Sequence, residues 1–170
     1  MATDTIYGIV GLALKKEVVE NIYKLRERNP SKPMIILIGS IRDLGFFGIK
    51  IDKITQKILE KFWPGKVSII LPCPSKKFIY LHRGTRSLAF RLPDKPDLIE
   101  ILGKTGPLVA PSANPEGEPP AKTVEEAKKY FGQKVDFYLD EGELTSLPST
   151  LIAIENGEVI VKREGAVKIP

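Results

Sequence analysis

Apolar residues recur along the chain with two spacings, and the alternation between them predicts a mixed α/β architecture. Between Lys16 and Arg28, the residues Val18, Val19, Ile22, Tyr23 and Leu25 gather toward one face of a helix. Pro30 and Pro33 stop it, because a proline ring removes a donor and clashes with the preceding turn. Met34–Ile38 is a continuous apolar run of strand length and predicts a fully buried strand. A second helix is predicted over Asp52–Phe62, with Asp52 as N-cap, a stripe of Ile54, Ile58, Leu59 and Phe62, and Pro64–Gly65 as the stop. Val67–Leu71 and Leu88–Leu92 read as strands, Asp94–Lys104 as a short helix and Pro107–Ala110 as a further strand. Thr123 with Glu126 three residues on is a capping box opening a helix to Phe131. Val135–Leu139 reads as a strand. Thr150–Ile154 and Val159–Arg163 flank Asn156–Gly157, a strong two-residue hairpin signal. This order predicts a twisted mixed sheet flanked by helices, without the strict βαβ rhythm of a parallel sheet.

Composition narrows the class. A chain of 170 residues can bury its own core, and 42% hydrophobic with 28% charged residues excludes a disordered polymer. No apolar run approaches the ~20 residues that span a bilayer. Thr3 and Asp4 stand where a secretory signal would carry basic residues, so no such signal is expected. Cys73 is the only cysteine; it allows no internal disulfide and suggests a reducing, cytoplasmic setting. One cysteine and one histidine cannot make a zinc site of the usual kind. The net charge of +5 hides an asymmetry. Residues 1–104 hold 19 Lys/Arg against 10 Asp/Glu, whereas residues 105–170 hold 7 against 11. A basic first part suits nucleotides, phosphates or RNA; a solvated lysine-rich surface is the plainer account.

Familiar catalytic signatures are missing: there is no dinucleotide fingerprint, P-loop or G-x-S-x-G elbow. His82, after Phe78–Leu81, looks like a strand end and reads as a structural or surface histidine. Cys73, between Pro72 and Pro74, also reads as structural. Three polar segments stand out. Thr3–Gly8 brings hydroxyls and a carboxylate into an apolar run. Arg26–Pro33 closes a helix with Arg26, Arg28 and Lys32; such cations bind phosphates, but they also favour the negative end of a helix dipole. Ala110–Pro120 is a proline-stiffened loop after a strand, with Ser112 and Asn114 two apart; it suits either a ligand site or a connector held by Asx turns.

In order, these segments resemble the YrdC-like family, the L-threonylcarbamoyladenylate synthases. Thr3–Gly8 resembles the family's opening PTDTxYG, and Arg26–Arg28 with Lys32–Met34 its KxR…KPL. Phe62–Gly65 with Val67–Leu71 resembles FWPGPxTxIL, and Leu88–Pro93 resembles VAVRxP. Gly106–Leu108 through Pro111–Asn114 and Gly117 resembles GPLxAPSANxSG. Pro148–Thr150 with Arg163–Ala166 resembles PST…REGA. Any one match is weak; six collinear ones with natural spacing are specific. Departures are Arg26 for the KxR lysine, Ala2 and Lys66 for prolines, Leu37 where relatives carry a polar residue such as His, and Glu116 and Pro120 where Ser is usual.

The resemblance implies a single YrdC-like domain over residues 1–170, an α/β twisted open mixed sheet with a basic concave face. The family's N-terminal helix and strand before the first motif are expected to be absent, as is the C-terminal extra domain of longer members. The implied reaction joins L-threonine, bicarbonate and ATP into threonylcarbamoyl-AMP and pyrophosphate, for threonylcarbamoyladenosine in tRNA. Carried over by motif, Thr5, Arg91 and Ser149 are expected to bind threonine. Arg26, Arg28, Lys32, Ser112, Asn114 and Arg163 are expected to bind the nucleotide. Mg²⁺ is expected only with ATP, without a tightly bound metal site, and no catalytic residue is assigned. Expected partners are ATP, threonine, bicarbonate, a downstream threonylcarbamoyl-transfer complex, and tRNA or double-stranded RNA, with no membrane. Two alternatives remain open: an RNA-binding module using the same basic concavity, and a nucleotide-binding paralogue with another acceptor.

Overall fold

The structure is a computed structural model that describes residues 1–169. Its order is β1 (Gly11–Leu12), α1 (Lys16–Leu25), β2 (Ile35–Leu37), α2 (Lys53–Phe62), β3 (Val67–Pro72), α3 (Ile79–His82), β4 (Ser87–Arg91), α4 (Pro96–Thr105), β5 (Leu108–Val109), α5 (Val124–Phe131), β6 (Thr150–Glu155) and β7 (Glu158–Arg163). The strands form one seven-stranded sheet in the order β1-β5-β2-β4-β3-β6-β7. Pairs β2–β4 and β3–β6 are parallel; the other neighbours are antiparallel. Among the described residues no helix is long and apolar enough to cross a membrane.

The predicted caps are present. The Asp52 carboxylate accepts from Thr55 N–H at 2.7 Å, and the Thr123 hydroxyl accepts from Glu126 N–H at 3.2 Å. The Glu126 carboxylate reaches one residue further back than a capping box requires, to Lys122 N–H at 2.8 Å. Asn156 and Gly157 both have positive φ, 53° and 81°, as a type I′ hairpin requires.

Three local expectations need correction. Helix α1 stops at Leu25, short of Arg28. Glu27 takes a left-handed φ of 49°, and Arg28 N–H and Glu27 N–H fold back onto Tyr23 O and Lys24 O, a Schellman ending formed without glycine. Phe78–His82 is helical, a 3-10 turn over Lys76–Phe78 running into α3. Its apolar spacing serves one turn packed on the core, with Phe78 against Phe47 at 5.3 Å between ring centroids. Val135–Leu139 is not a strand. Among the described residues it pairs with neither edge strand of the sheet, β1 or β7. Within it Tyr138 OH donates to the nearby Gly132 O at 2.7 Å, and just beyond it Gly142 O accepts from the distant Tyr7 OH at 2.7 Å. An unforeseen 3-10 segment over Ile41–Phe47 begins where Asp43 accepts from Gly39 and Ser40 N–H.

The sheet has two unlike faces because side chains alternate along each strand. Ile36, Ile69, Phe90, Val109 and Ile152 on one face are fully buried, in a core that includes Val19, Ile22 and Leu59. On the other face, Leu37 joins Leu98, Leu102 and Leu108 in a small cluster beneath α4. The rest of that face, at Ile35, Ala89, Ile70 and Leu151, is left open and floors a cavity.

Candidate active site

The cavity holds about 380 Å³ and is walled by the segments that carry the sequence motifs. Thr5, Arg26, Arg28, Arg91, Ser112, Ser149 and Arg163 all line it. Four arginines from three distant parts of the chain therefore meet around one space, each held differently.

Arg91 is the last residue of β4 and shares a face with Ala89. Its Nη2 lies 2.8 Å from Asp4 Oδ1, and the two side chains are only 4% and 1% exposed. The same Nη2 is 3.4 Å from Thr5 Oγ1 and 3.5 Å from Thr3 Oγ1, while the two hydroxyls lie 3.1 Å apart. Burial pushes the Arg91 pKa down and Asp4 works against that shift. Arg28 Nε donates to Lys32 O at 3.0 Å and its Nη2 to Pro33 O at 2.8 Å, so the guanidinium is braced by the proline-stiffened turn after α1. Arg163, on β7, donates from Nη2 to Ser149 O at 2.7 Å and, more weakly, to Ser149 Oγ at 3.3 Å. Its pKa is lowered by desolvation first, then by the positive charges of Arg91 and Arg28. Ser149 Oγ also meets Ser68 Oγ at 2.9 Å in a buried pair.

Arg26 is buried at 3% exposure and works on the loop as much as on the cavity. Its Nε donates to both Ser112 O at 2.8 Å and Asn114 O at 2.9 Å, and its Nη2 to Ser112 Oγ at 3.1 Å. Its Nη1 is buried with no hydrogen-bond partner among the described residues. Burial and then the nearby Arg28 lower its pKa to about 10.

Two expected nucleotide ligands, Lys32 and Asn114, are not in the cavity wall. Lys32 Nζ pairs with the Glu116 carboxylate, which also accepts from Asn29 N–H. These contacts hold the Glu116 carboxyl below its ordinary pKa. Asn114 is 5% exposed and its amide donates to Pro115 O at 2.7 Å and Glu118 O at 2.8 Å, closing the loop on itself. Leu37 lies under α4 and not in the cavity wall. His82 accepts from Gly84 N–H through Nδ1 at 3.1 Å, which leaves Nε2–H to donate to Ser75 O at 3.2 Å. Cys73 is buried with its Sγ 3.7 Å from Phe47 O.

Several contributors had no role assigned from sequence. Asp4 sat inside the first motif as the counter-ion of Arg91. Ser68, a hydroxyl in the apolar run of β3, was a signal in itself, since a polar group in a buried strand needs a partner. Gly165 allows its segment to meet Pro148–Thr150: a Cβ there would lie 2.4 Å from Pro148 O and 2.6 Å from Thr150 N. Chemically, the cavity offers several fixed cations, hydroxyls from four segments, and neither the histidine nor the cysteine as a nucleophile or base. Fixed cations beside hydroxyls are a donor set suited to anions.

Fold and site together define an α/β domain with an arginine-lined cleft. The family model described as telomere recombination, Sua5–YciO–YrdC, matches residues 1–165. A Methanocaldococcus jannaschii protein, provisionally named a threonylcarbamoyl-AMP synthase, is 34% identical over 98% of this chain and 79% of its own length. The threonylcarbamoyl-AMP synthase of Bacillus subtilis is 27% identical over 97% of this chain and 49% of its own. Sua5 of Pyrococcus abyssi complexed with L-threonine superposes with a TM-score of 0.87 at 27% identity, over 96% of this chain and 48% of that one. Escherichia coli YciO shares the fold, with a TM-score of 0.84 at 22% identity over 98% of this chain and 82% of that one. The chain belongs to the Sua5–YciO–YrdC family.

Proposed function

We propose that this chain is a threonylcarbamoyl-AMP synthase, converting L-threonine, bicarbonate and ATP into threonylcarbamoyl-AMP and pyrophosphate. The observation that carries the reading is the convergence of Arg28, Arg91 and Arg163 on one cavity that Thr5, Ser112 and Ser149 also line. The reaction gathers mutually repelling anions, and fixed cations offset that repulsion. Holding reactants in line can itself supply ~7–11 kcal/mol of the barrier. In this reading Arg91, with Thr5 and Ser149, takes the threonine carboxylate and hydroxyl. Arg28 and Arg163 take the phosphates. Arg26 and Asn114 fix the loop whose Ser112 faces the nucleotide, and Lys32 joins the phosphates on leaving Glu116. The threonine amine adds to bicarbonate with loss of water. A carbamate oxygen then attacks the α-phosphorus, and pyrophosphate leaves against the arginines. Mg²⁺ enters with ATP as part of the substrate. The product passes, in the cytoplasm, to a separate complex that transfers the threonylcarbamoyl group to tRNA.

Pyrophosphate release, measured with threonine, bicarbonate and ATP each omitted in turn, tests this. The expected result is release only with all three present. Equal release without threonine, or none with the complete mixture, overturns the reading.

A further inference from the structure

Asp4 lies directly against the cleft, yet the reading above gives it no part. Its side chain is 1% exposed and sits behind Arg91, outside the cavity wall. Beyond the ion pair at 2.8 Å, neither carboxylate oxygen receives a hydrogen bond among the described residues. Backbone N–H groups normally spread and satisfy a buried carboxylate's charge. Here that charge is directed at a single guanidinium. The other cleft arginines are held only by neutral oxygens: Arg28 by Lys32 O and Pro33 O, Arg163 by Ser149, Arg26 by Ser112 and Asn114. Among the described residues, Arg91 is the one cleft arginine with a carboxylate partner.

We propose that Asp4 determines which anion goes where: by neutralising Arg91 from behind, it reserves that arginine for a singly charged carboxylate and leaves polyphosphate to Arg28 and Arg163. This rests on the synthase reading. The physical reason is an asymmetry of charge. A polyphosphate gains most from unneutralised cations, because Coulomb attraction scales with both charges and is strong in a partly dry cleft. A neutral ion pair attracts it little. It can still offer an amino-acid carboxylate the donors that Asp4 leaves free, and Arg91 Nη1 makes no hydrogen bond among the described residues. Without Asp4, Arg91 becomes a fourth unneutralised cation beside Arg26, Arg28 and Arg163, and phosphate groups spread onto the amino-acid subsite. Asp4 would thus be a specificity-determining and positioning residue that touches no substrate.

The test is equilibrium binding of inorganic pyrophosphate to the wild-type chain and to Asp4→Asn, with and without saturating L-threonine. In the wild type, threonine should leave pyrophosphate affinity unchanged within twofold. In Asp4→Asn the two should compete: saturating threonine should weaken pyrophosphate at least tenfold, and pyrophosphate should displace labelled threonine. A merely structural Asp4 would lower the melting temperature without turning independent binding into competition. Competition already in the wild type overturns the proposal, as does continued independence in a folded Asp4→Asn. If Asp4→Asn does not fold, the charge-neutral double variant Asp4→Asn/Arg91→Gln decides. Pyrophosphate affinity within twofold of wild type supports the proposal, and a tenfold loss overturns it because Arg91 then already binds polyphosphate. Pyrophosphate binding without any threonine binding in the wild type would instead remove the synthase reading, and this proposal with it.

Discussion

Arg26→Ala separates two jobs that the sequence could not distinguish. The resemblance puts Arg26 among nucleotide ligands, but its guanidinium is spent mainly on the Ser112–Asn114 loop. The Nε–H shared between two carbonyls counts as one charge-assisted hydrogen bond, and the contact from Nη2 to Ser112 Oγ at 3.1 Å as a second. Such bonds contribute about 1.5–3 kcal/mol each. Water from the cavity can reach the loop after truncation, so the sum is an upper bound. The variant should lose about 2–4 kcal/mol, a fall in Tm of about 4–16 °C for a domain of this size. Arg26→Lys keeps a charge but has no planar fork to bridge Ser112 and Asn114, and should recover only part of the loss. Circular dichroism melts give Tm, and ATP titration on the same samples gives affinity. A Tm within about 2 °C of wild type, together with lost ATP binding, would show that Arg26 is a ligand and not a clamp.

Other substitutions read other joints. Glu116 has its folded pKa below the ordinary 4.5, through the hydrogen bond from Lys32 first and Asn29 N–H second. Its stabilisation is therefore present above the ordinary value and is lost as pH falls through the lowered folded value. Glu116→Gln should melt below wild type at pH 7 and level with it in strong acid; a gap unchanged by acid would refute the pairing. Ser149→Ala leaves the buried Ser68 hydroxyl without its partner and should cost about 1–3 kcal/mol in chemical denaturation, part of which Ser68→Ala should restore. Full stability in the single variant would mean that the two hydroxyls do not depend on each other. Gly165→Ala puts a methyl 2.4 Å from Pro148 O, against backbone that cannot swing aside, and should reach the upper end of the ~1–3 kcal/mol typical of overpacking. An unperturbed melt would mean that the approach of this segment to Pro148–Thr150 is looser than the structure has it.

Much of the fold was legible because its signals are local. Asp52, Thr123 and Asn156–Gly157 act through atoms within a few residues, and each does so in the structure. The failures came where distant parts decide. Val135, Phe137 and Leu139 alternate as a strand would, but strand identity needs a neighbour to pair with, and among the described residues this segment pairs with no strand of the sheet. The end of α1 was set by Glu27 in a left-handed conformation, for which no glycine gave notice. In the site, residue types pointed to anions, and seven of the nine residues named from the motifs line one cavity. What the sequence could not show was which atoms of each cation remain unused after folding. Arg26 and Arg28 are two apart and chemically alike, yet one is buried on the loop and the other braced by a turn.

That distinction explains how a small domain can hold several like charges without collapse. A guanidinium has five donors, and here some of them are spent on carbonyls that fix its position without cancelling its charge. Arg28 and Arg163 thus stay cationic and are held in place before any ligand arrives, which lowers the ordering cost of binding. The sheet supplies the space. α4 covers only the end of the face at Leu37, and the small Ala89 side chain lies between Ile35 and Ile70 on the uncovered floor. Replacing Ala89 with Leu would fill that floor without removing a cation. It should leave the arginine hydrogen bonds intact and still exclude ligand, so loss of nucleotide binding with an unchanged Tm would locate the substrate on the sheet. Normal binding by Ala89→Leu would place it instead on the loop side, against Ser112 and Arg28.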